Sequence, residues 1–328
     1  MKCWVIKKFG NEIENLVIEE RAEPAATGEN IRVKVLATAL NRADLLQRRG
    51  LYNAPSGVVP DIPGLEFVGV IDSLGEQVTE WKGGERVFGV VAGGSYAEKL
   101  ITHQRTVVPV PDNLSDIEAA AIPEAFITAH DALVTQGNFK SGDLVLIYSV
   151  AGGVGSAAVQ LVNLLGGKAI GIAGSGDKLL KIAETALFHA INYREEDIFK
   201  NIEKKFGKQS VDIVIDTVGG NYWQQNLKIL KNCGFIVIVG LLGGANAETN
   251  LSLILTKRLH ITGTVLRARP LEEKIIVTRK FAHEVVPHFT DGKLKSVIDS
   301  VFQFEKLHEA TLRMENNENT GKIILKLQ

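Results

Sequence analysis

Downstream of residue 144, short apolar runs alternate with segments whose apolar positions recur at helical spacing. The runs LVLIY, KAIGIA, HAIN, VDIVID, GFIVIV and HITGTV read as strands. SAAVQLVNLLG, KLLKIAETAL and NYWQQNLKIL read as helices between them. Strands apolar on both faces and separated by amphipathic helices predict a parallel sheet covered on both sides. Right-handed crossovers make such a sheet doubly wound, with its ligand at the carboxyl edge. Upstream of about Pro123 the pattern changes. IRVKVLATAL, EFVGVIDSLG, ERVFGVV and SYAEKLI alternate apolar and polar residues between Gly and Pro, which predicts a compact β-rich domain. After about Arg267, EEKIIVTRKFAHEVVPHF is helical and GKIILKLQ closes as a strand. The expected fold class is α/β. A doubly wound parallel sheet spans residues 124–266, and a β-rich domain spans 1–123, completed by 267–328.

At 328 residues, two domains are the natural expectation, and 45% apolar with 23% charged residues describes a globular chain with real cores. A net charge of −1 offers no electrostatic ground for a nucleic-acid or membrane partner. MKCWVIKKFG lacks the apolar core of a signal peptide and reads as a first strand. Cys3 and Cys233 are far apart, which suits a reduced cytoplasmic location, and both are expected to be buried.

The densest chemical signal is the junction at residues 144–155, LVLIYSVAGGVG. An apolar strand meets Gly152, Gly153 and Gly155, and a helix follows at once. Glycines let the backbone approach a pyrophosphate, and the helix start points free N–H groups at it. The spacing is S-x-x-G-x-x-G from Ser149, so the context carries more weight than the motif.

The tip of the second strand separates the two dinucleotides. An acid there accepts from a ribose 2′-hydroxyl and repels a 2′-phosphate. KAIGIA ends in Gly174, Ser175 and Gly176 without an acid, and Asp177 reads as a helix N-cap. Lys178 is placed to meet a phosphate, or is a solvated surface lysine. Tyr193 offers a phenol to the same site, or is an edge aromatic. Together with the missing acid these favour NADPH. A zinc site needs clustered Cys, His or acidic ligands. The two cysteines form no C-x-x-C pair, the histidines are scattered, and Glu66 has no neighbouring His. No metal is expected.

The segments ALNRADLLQRRGLY, PGLEFVGVI, AAAIPEAFITAHDAL, AGGVGSAAVQL, INYREED, DTVGGNYW and GKIILKL run from one end of the chain to the other. Jointly they resemble the medium-chain dehydrogenase/reductase superfamily, in the zinc-free quinone oxidoreductases of the p53-inducible and zeta-crystallin type. Where zinc-dependent members carry Cys and a G-H-E histidine, this chain has Arg42, Ala43 and Leu65. The resemblance implies a GroES-like β domain joined to a Rossmann domain, a cleft site and NADPH as hydride donor. It implies Asn41 and Thr128 near the nicotinamide, and Gly152, Gly153 and Val154 at the pyrophosphate. Gly174, Ser175, Lys178 and Tyr193 would hold the 2′-phosphate, and Val218 would border the adenosine-side ribose. Leu241, Leu242, Leu266 and Arg267 would line the nicotinamide pocket, with Asn319 closing over the cofactor. Leu46 departs from the family tyrosine. Ser149 and Val150 depart from the usual small residues, and the valine fits if it points into the sheet.

A quinone is already strongly electrophilic, so hydrogen bonds to its oxygens suffice without a strong acid. Tyr52 and Asn41 are the candidate catalytic donors. Tyr52 is otherwise a rim aromatic, Asn41 a helix cap, and Arg267 either a steering group or a structural one. The alternatives are reduction of an activated C=C bond in an enone or enoyl thioester, or an NADPH-binding redox-sensing or RNA-binding protein. HITGTVLRAR would leave a bare sheet edge, so a homodimer is expected.

Overall fold

A computed structural model describes residues 1–327 and divides the chain into two units. One is Met1–Ile127 with the residues from Leu266 onward; the other is Thr128–Val265.

The first unit begins with strands β1 (Lys2–Ile6), β2 (Leu16–Glu20) and β3 (Asn30–Ala39), then helix α1 (Arg42–Arg48). Strands β4 (Glu66–Leu74), β5 (Arg86–Val90), β6 (Lys99–His103) and β7 (Val107–Pro109) follow, then α2 (Asp116–Ala120). α3 (Pro123–His130) carries the chain into the second unit. There β8 (Leu144–Ile147), α4 (Gly153–Leu164), β9 (Lys168–Ala173), α5 (Gly176–Ala183), β10 (His189–Asn192) and α6 (Ile198–Phe206) succeed one another. The second half is β11 (Val211–Asp216), α7 (Trp223–Ile229), β12 (Leu230–Ile238), α8 (Leu251–Lys257) and β13 (His260–Gly263). The chain returns to the first unit through α9 (Leu271–Glu284), α10 (Pro287–Thr290), β14 (Ile298–Gln303), α11 (Leu307–Glu315) and β15 (Lys322–Lys326).

In the first unit, β1 pairs with β2, and a seven-stranded sheet runs β14-β15-β3-β4-β5-β7 with β6 also on β3. β3 is long enough to pair antiparallel with β15, β4 and β6. Its even alternation buries Ile31, Val33 and Val35 against Phe67, Ile71 and Val87. This is the GroES-like β-rich domain.

The second unit is a Rossmann sheet. All its pairings are parallel, in the order β10-β9-β8-β11-β12-β13. That order reverses beside β8, the strand that leads into the glycine turn, so the ligand crevice opens at its carboxyl end. Leu146, Ile170, Ile191, Val214 and Ile236 bury one face of five successive strands against Ile202 and Leu227 of the covering helices. Each such side chain contributes about 1.5–3 kcal/mol on burial.

The tail segment is helical and divides before Pro287 into α9 and α10, because proline lacks the N–H and crowds the preceding turn. Two local expectations are corrected. Ser175, not Asp177, is the N-cap of α5, and Asp177 lies in its first turn. Cys233 is exposed rather than buried: the β11–β12 register jumps between Val211 and Ile213, and Lys231, Asn232 and Cys233 are pushed out in a bulge while Gly234 stays buried. The last strand is β15, and Gln328 lies outside the described residues.

Candidate active site

At the end of β8 the chain turns sharply through Ser149, whose φ of 49° is left-handed. Thr217 Oγ1 donates to Ser149 Oγ at 2.9 Å, tying this turn to the end of β11. Gly152 is the N-cap of α4, so Gly153 and Val154 form its first turn with N–H groups unused by the helix. A Cβ on Gly155 would stand 2.5 Å from Ser149 O and 2.6 Å from Val150 Cα. Only a bare backbone lets the helix start this close to the strand. Val150 is fully buried, and its methyls occupy the notch that Gly171 of β9 leaves by having no side chain.

The tip of β9 gathers the residues expected at a 2′-phosphate. The phenol of Tyr193 packs directly on Gly174, where an added Cβ would meet its hydroxyl oxygen at 2.6 Å. Ser175 makes no capping hydrogen bond with its hydroxyl, and Lys178 follows in the first turn of α5. Tyr193 is 46% exposed, so the phenol remains open on one side.

The ends of β11 and β12 are held by a buried chain of hydrogen bonds. Tyr148 Oη donates to Asn226 Oδ1 at 2.7 Å, and Asn226 Nδ2 donates to Asp216 Oδ2 at 3.2 Å. Asp216 Oδ1 accepts from the N–H groups of Val218 and Gly219, both at 2.8 Å. Burial raises the Asp216 pKa. Gly243 N donates to Val218 O at 2.7 Å and Leu242 N to Thr217 O at 3.2 Å, which sets exposed Leu241 and Leu242 at the same edge. Thr128 is buried, and among the described residues its Oγ1 has no hydrogen-bond partner. It lies just before a π-helical turn over Asp131–Gln136. A close-approach glycine turn, unused helix N–H groups and this orphaned hydroxyl fit a nicotinamide dinucleotide.

In the other unit, charges meet out of water. Glu66 and Lys322 are 0% and 4% exposed, and Lys322 Nζ lies 2.6 Å from Glu66 Oε1. Lys322 also donates to Leu40 O at 2.8 Å and Asn41 Oδ1 at 2.7 Å. Asn41 Nδ2 donates to Glu66 Oε1 at 2.8 Å, and Glu124 N to Glu66 Oε2 at 2.9 Å. Asn41 stands at the N-cap of α1 in a capping box with Asp44, and its side-chain amide also serves this knot. Asp44 Oδ2 accepts from Asn41 N at 2.7 Å and Tyr96 Oη at 2.9 Å, and Oδ1 from Gly64 N at 3.1 Å. Burial nevertheless pushes the Asp44 pKa up to about 6.

Arg267 is the clamp of this region. Its guanidinium lies 4.9 Å from the centre of the Tyr52 ring. Nε donates to Ala92 O at 2.6 Å, Nη1 to Tyr52 O at 2.8 Å and Nη2 to Gln47 Oε1 at 2.7 Å. Tyr52 is half-buried, burial raises its pKa, and its hydroxyl makes no hydrogen bond among the described residues. Leu266 is buried beside Arg267 in sequence, and Asn319 Nδ2 donates to Gly321 O at 2.9 Å.

The structure therefore gathers Gly152, Gly153, Val154, Gly174, Ser175, Lys178, Tyr193, Val218, Leu241 and Leu242 along one sheet edge. It gathers Asn41 with Glu66, Lys322 and Glu124 in the other unit. The sequence pattern brought Glu66 forward only as a zinc ligand without a neighbouring His, and it gave Lys322 and Glu124 no role. The available signal was a charged residue inside each of three apolar runs, GLEF, IPEAF and GKIIL. These donors do not fit zinc. Both Glu66 oxygens are already held, and among the described residues no group of three or more His, Cys, Asp or Glu assembles to hold a metal.

Residues 27–112 match the alcohol dehydrogenase GroES-like domain family, and residues 153–281 match the zinc-binding dehydrogenase family. Quinone oxidoreductase-like protein 2 of Bos taurus is 31% identical over 314 residues, 95% of this chain and 89% of that protein. The synaptic vesicle membrane protein VAT-1 homolog of Danio rerio is 32% identical over 342 residues, 99% of this chain and 69% of that protein. The solved structure of Escherichia coli quinone oxidoreductase complexed with NADPH aligns with a TM-score of 0.87 at 26% identity, covering 100% of each chain.

Proposed function

The chain belongs to the medium-chain dehydrogenase/reductase superfamily, among its quinone oxidoreductase-like oxidoreductases, and on that premise we propose that it is a zinc-independent NADPH:quinone reductase. The observation that carries the choice of dinucleotide is the tip of β9. Gly174 bears the Tyr193 phenol, Ser175 and Lys178 open α5, and no carboxylate ends the strand. A 2′-phosphate gains a cation and hydroxyls there and meets no acid to repel it.

Bound NADPH supplies a hydride. The glycine turn and the first N–H groups of α4 would hold the pyrophosphate, and the Asp216–Asn226–Tyr148 chain, which fixes the Val218 loop, would present that loop to the ribose. Thr128 Oγ1, buried and without a partner among the described residues, would be open to hydrogen-bond the nicotinamide end. Tyr52 offers its free hydroxyl to an acceptor oxygen, its ring steadied by Arg267. Asn41 positions the Glu66 carboxylate rather than the substrate, since its amide is engaged on both sides. A quinone, which needs little polarisation, suits this donor set.

A second copy of the chain is the proposed partner, in the cytosol. β13 is the outer strand of its sheet, and Ile261, Val265, Leu251 and Leu255 are exposed near that edge. Among the described residues no helix is long and apolar enough to cross a membrane.

Steady-state oxidation of NADPH and of NADH across a panel of quinones and enones tests the reading. Turnover of quinones with NADPH preferred supports it, and rates at the uncatalysed background remove it.

A further inference from the structure

Three carboxyls share the buried cluster of the first unit, and two are fully committed. Glu66 accepts from Asn41, Lys322 and the Glu124 N–H. Asp44 accepts from Asn41 N, Gly64 N and Tyr96 Oη, and is 5% exposed. Glu124 differs. Its backbone N–H is anchored on Glu66 at the start of α3, yet its carboxyl makes no hydrogen bond or ion pair among the described residues. It is only half-buried, so a ligand can reach it. Tyr52 Oη, also half-buried and without a partner, lies within electrostatic reach of it. The charges that act on the Glu124 carboxyl are those of Glu66 from β4, Lys322 from β15, Asp44 from α1, and Arg267, and the Glu124 charge in turn acts on Tyr52 in the loop after α1. Burial and the Glu66 charge outweigh the two cations and raise the Glu124 pKa to about 8.

Resting on the quinone-reductase reading, we infer that Glu124 is a further catalytic residue, the acid that protonates the acceptor oxygen as hydride arrives. The hydride brings two electrons and one proton, turning the quinone into a hydroquinone monoanion. The Glu124 O–H bond then breaks, its proton forms the second phenolic O–H, and the carboxylate regains a proton from water. NADPH, quinone and one proton thus become NADP⁺ and hydroquinone. A carboxyl that stays protonated at neutral pH is suited to this donation.

Infrared difference spectra of the whole chain between pH 5 and 10, without cofactor, read the carboxyl directly. A protonated carboxyl band that fades near pH 8 and is missing from Glu124→Gln is expected. In parallel, kcat/KM for NADPH with 1,4-benzoquinone should fall above about pH 8. The E124Q enzyme should be slower by about tenfold or more and lack that limb, and Glu124→Asp should restore part of the rate. Gln copies the shape of a protonated Glu, so a purely structural role predicts an unchanged rate and profile, and that result overturns the assignment. A band indifferent to E124Q overturns it equally. If the wild-type chain turns over no quinone while the band behaves as stated, the quinone-reductase reading falls and takes the donor role with it. Failure of the band or of the E124Q profile alone sinks only Glu124.

Discussion

Lys322 Nζ stands 2.6 Å from Glu66 Oε1, a closed ion pair that joins the last strand of the chain to the middle of the first unit. Taking away one member leaves a bare charge in a dry site. Lys322→Met is expected to lose about 3–5 kcal/mol of stability, and adding Glu66→Gln should recover part of it. Urea unfolding of the two single variants and the double variant measures the coupling. Simple additivity would remove the pair as a stabilising unit.

Two raised carboxyl pKa values give the fold a pH dependence with a definite sign. Asp44 rises from 3.8 to about 6, and Glu124 from 4.5 to about 8. Each is protonated more readily folded than unfolded, so its contribution is whole below the lower value and lost as pH climbs through the higher. Melting temperature is therefore expected to decline between about pH 4 and 8. Asp44→Asn should flatten the lower half of that decline and Glu124→Gln the upper half. Parallel melting curves for all three proteins would contradict the assignment.

Gly155→Ala forces a methyl against Ser149 O and Val150 Cα. Overpacking of this kind is expected to cost about 1–3 kcal/mol, with dinucleotide affinity falling as α4 lifts from β8. Denaturant titration and calorimetry report the two effects separately.

Lys178→Ala is expected to weaken NADPH about tenfold, or roughly 1.4 kcal/mol, while NADH is unaffected. Calorimetry with both nucleotides decides it, and equal losses for the two would point away from the 2′-phosphate.

Sedimentation at micromolar concentration is expected to give twice the chain mass. Ile261→Lys, on the outer face of the β13 edge, should shift the protein to single chains. A wild-type chain that sediments singly ends the two-fold reading.

The Rossmann half of this fold was legible because its strands are apolar on both faces. KAIGIA, HAIN and VDIVID are the observed β9, β10 and β11 residue for residue. Local chemistry was less so. Asp177 has the composition of a cap, yet Ser175 holds that place because β9 ends two residues earlier. Cys233 has the composition of a core residue, yet a register jump between neighbouring strands turns it outward. The buried charges were hidden for a different reason. Glu66, Glu124 and Lys322 are separated by 58 and 198 positions, and only the packing of β4, α3 and β15 makes each the explanation of the others. Periodicity reports which face is apolar; it says nothing about which far-off charge will answer a buried one.

Val150, with Leu187 beside it, fills the volume that Gly171 leaves empty. The valine has space only because its neighbour on the adjacent strand contributes none, so neither position is free to drift by itself. Gly171→Ala alone should evict the valine and disturb the strand that launches the glycine turn. Paired with Val150→Ala, the same change leaves Leu187 Cδ1, 2.9 Å from the added methyl, to give way. Evolution of this turn is thus a two-step path whose order matters: the larger residue must shrink before the smaller one can grow.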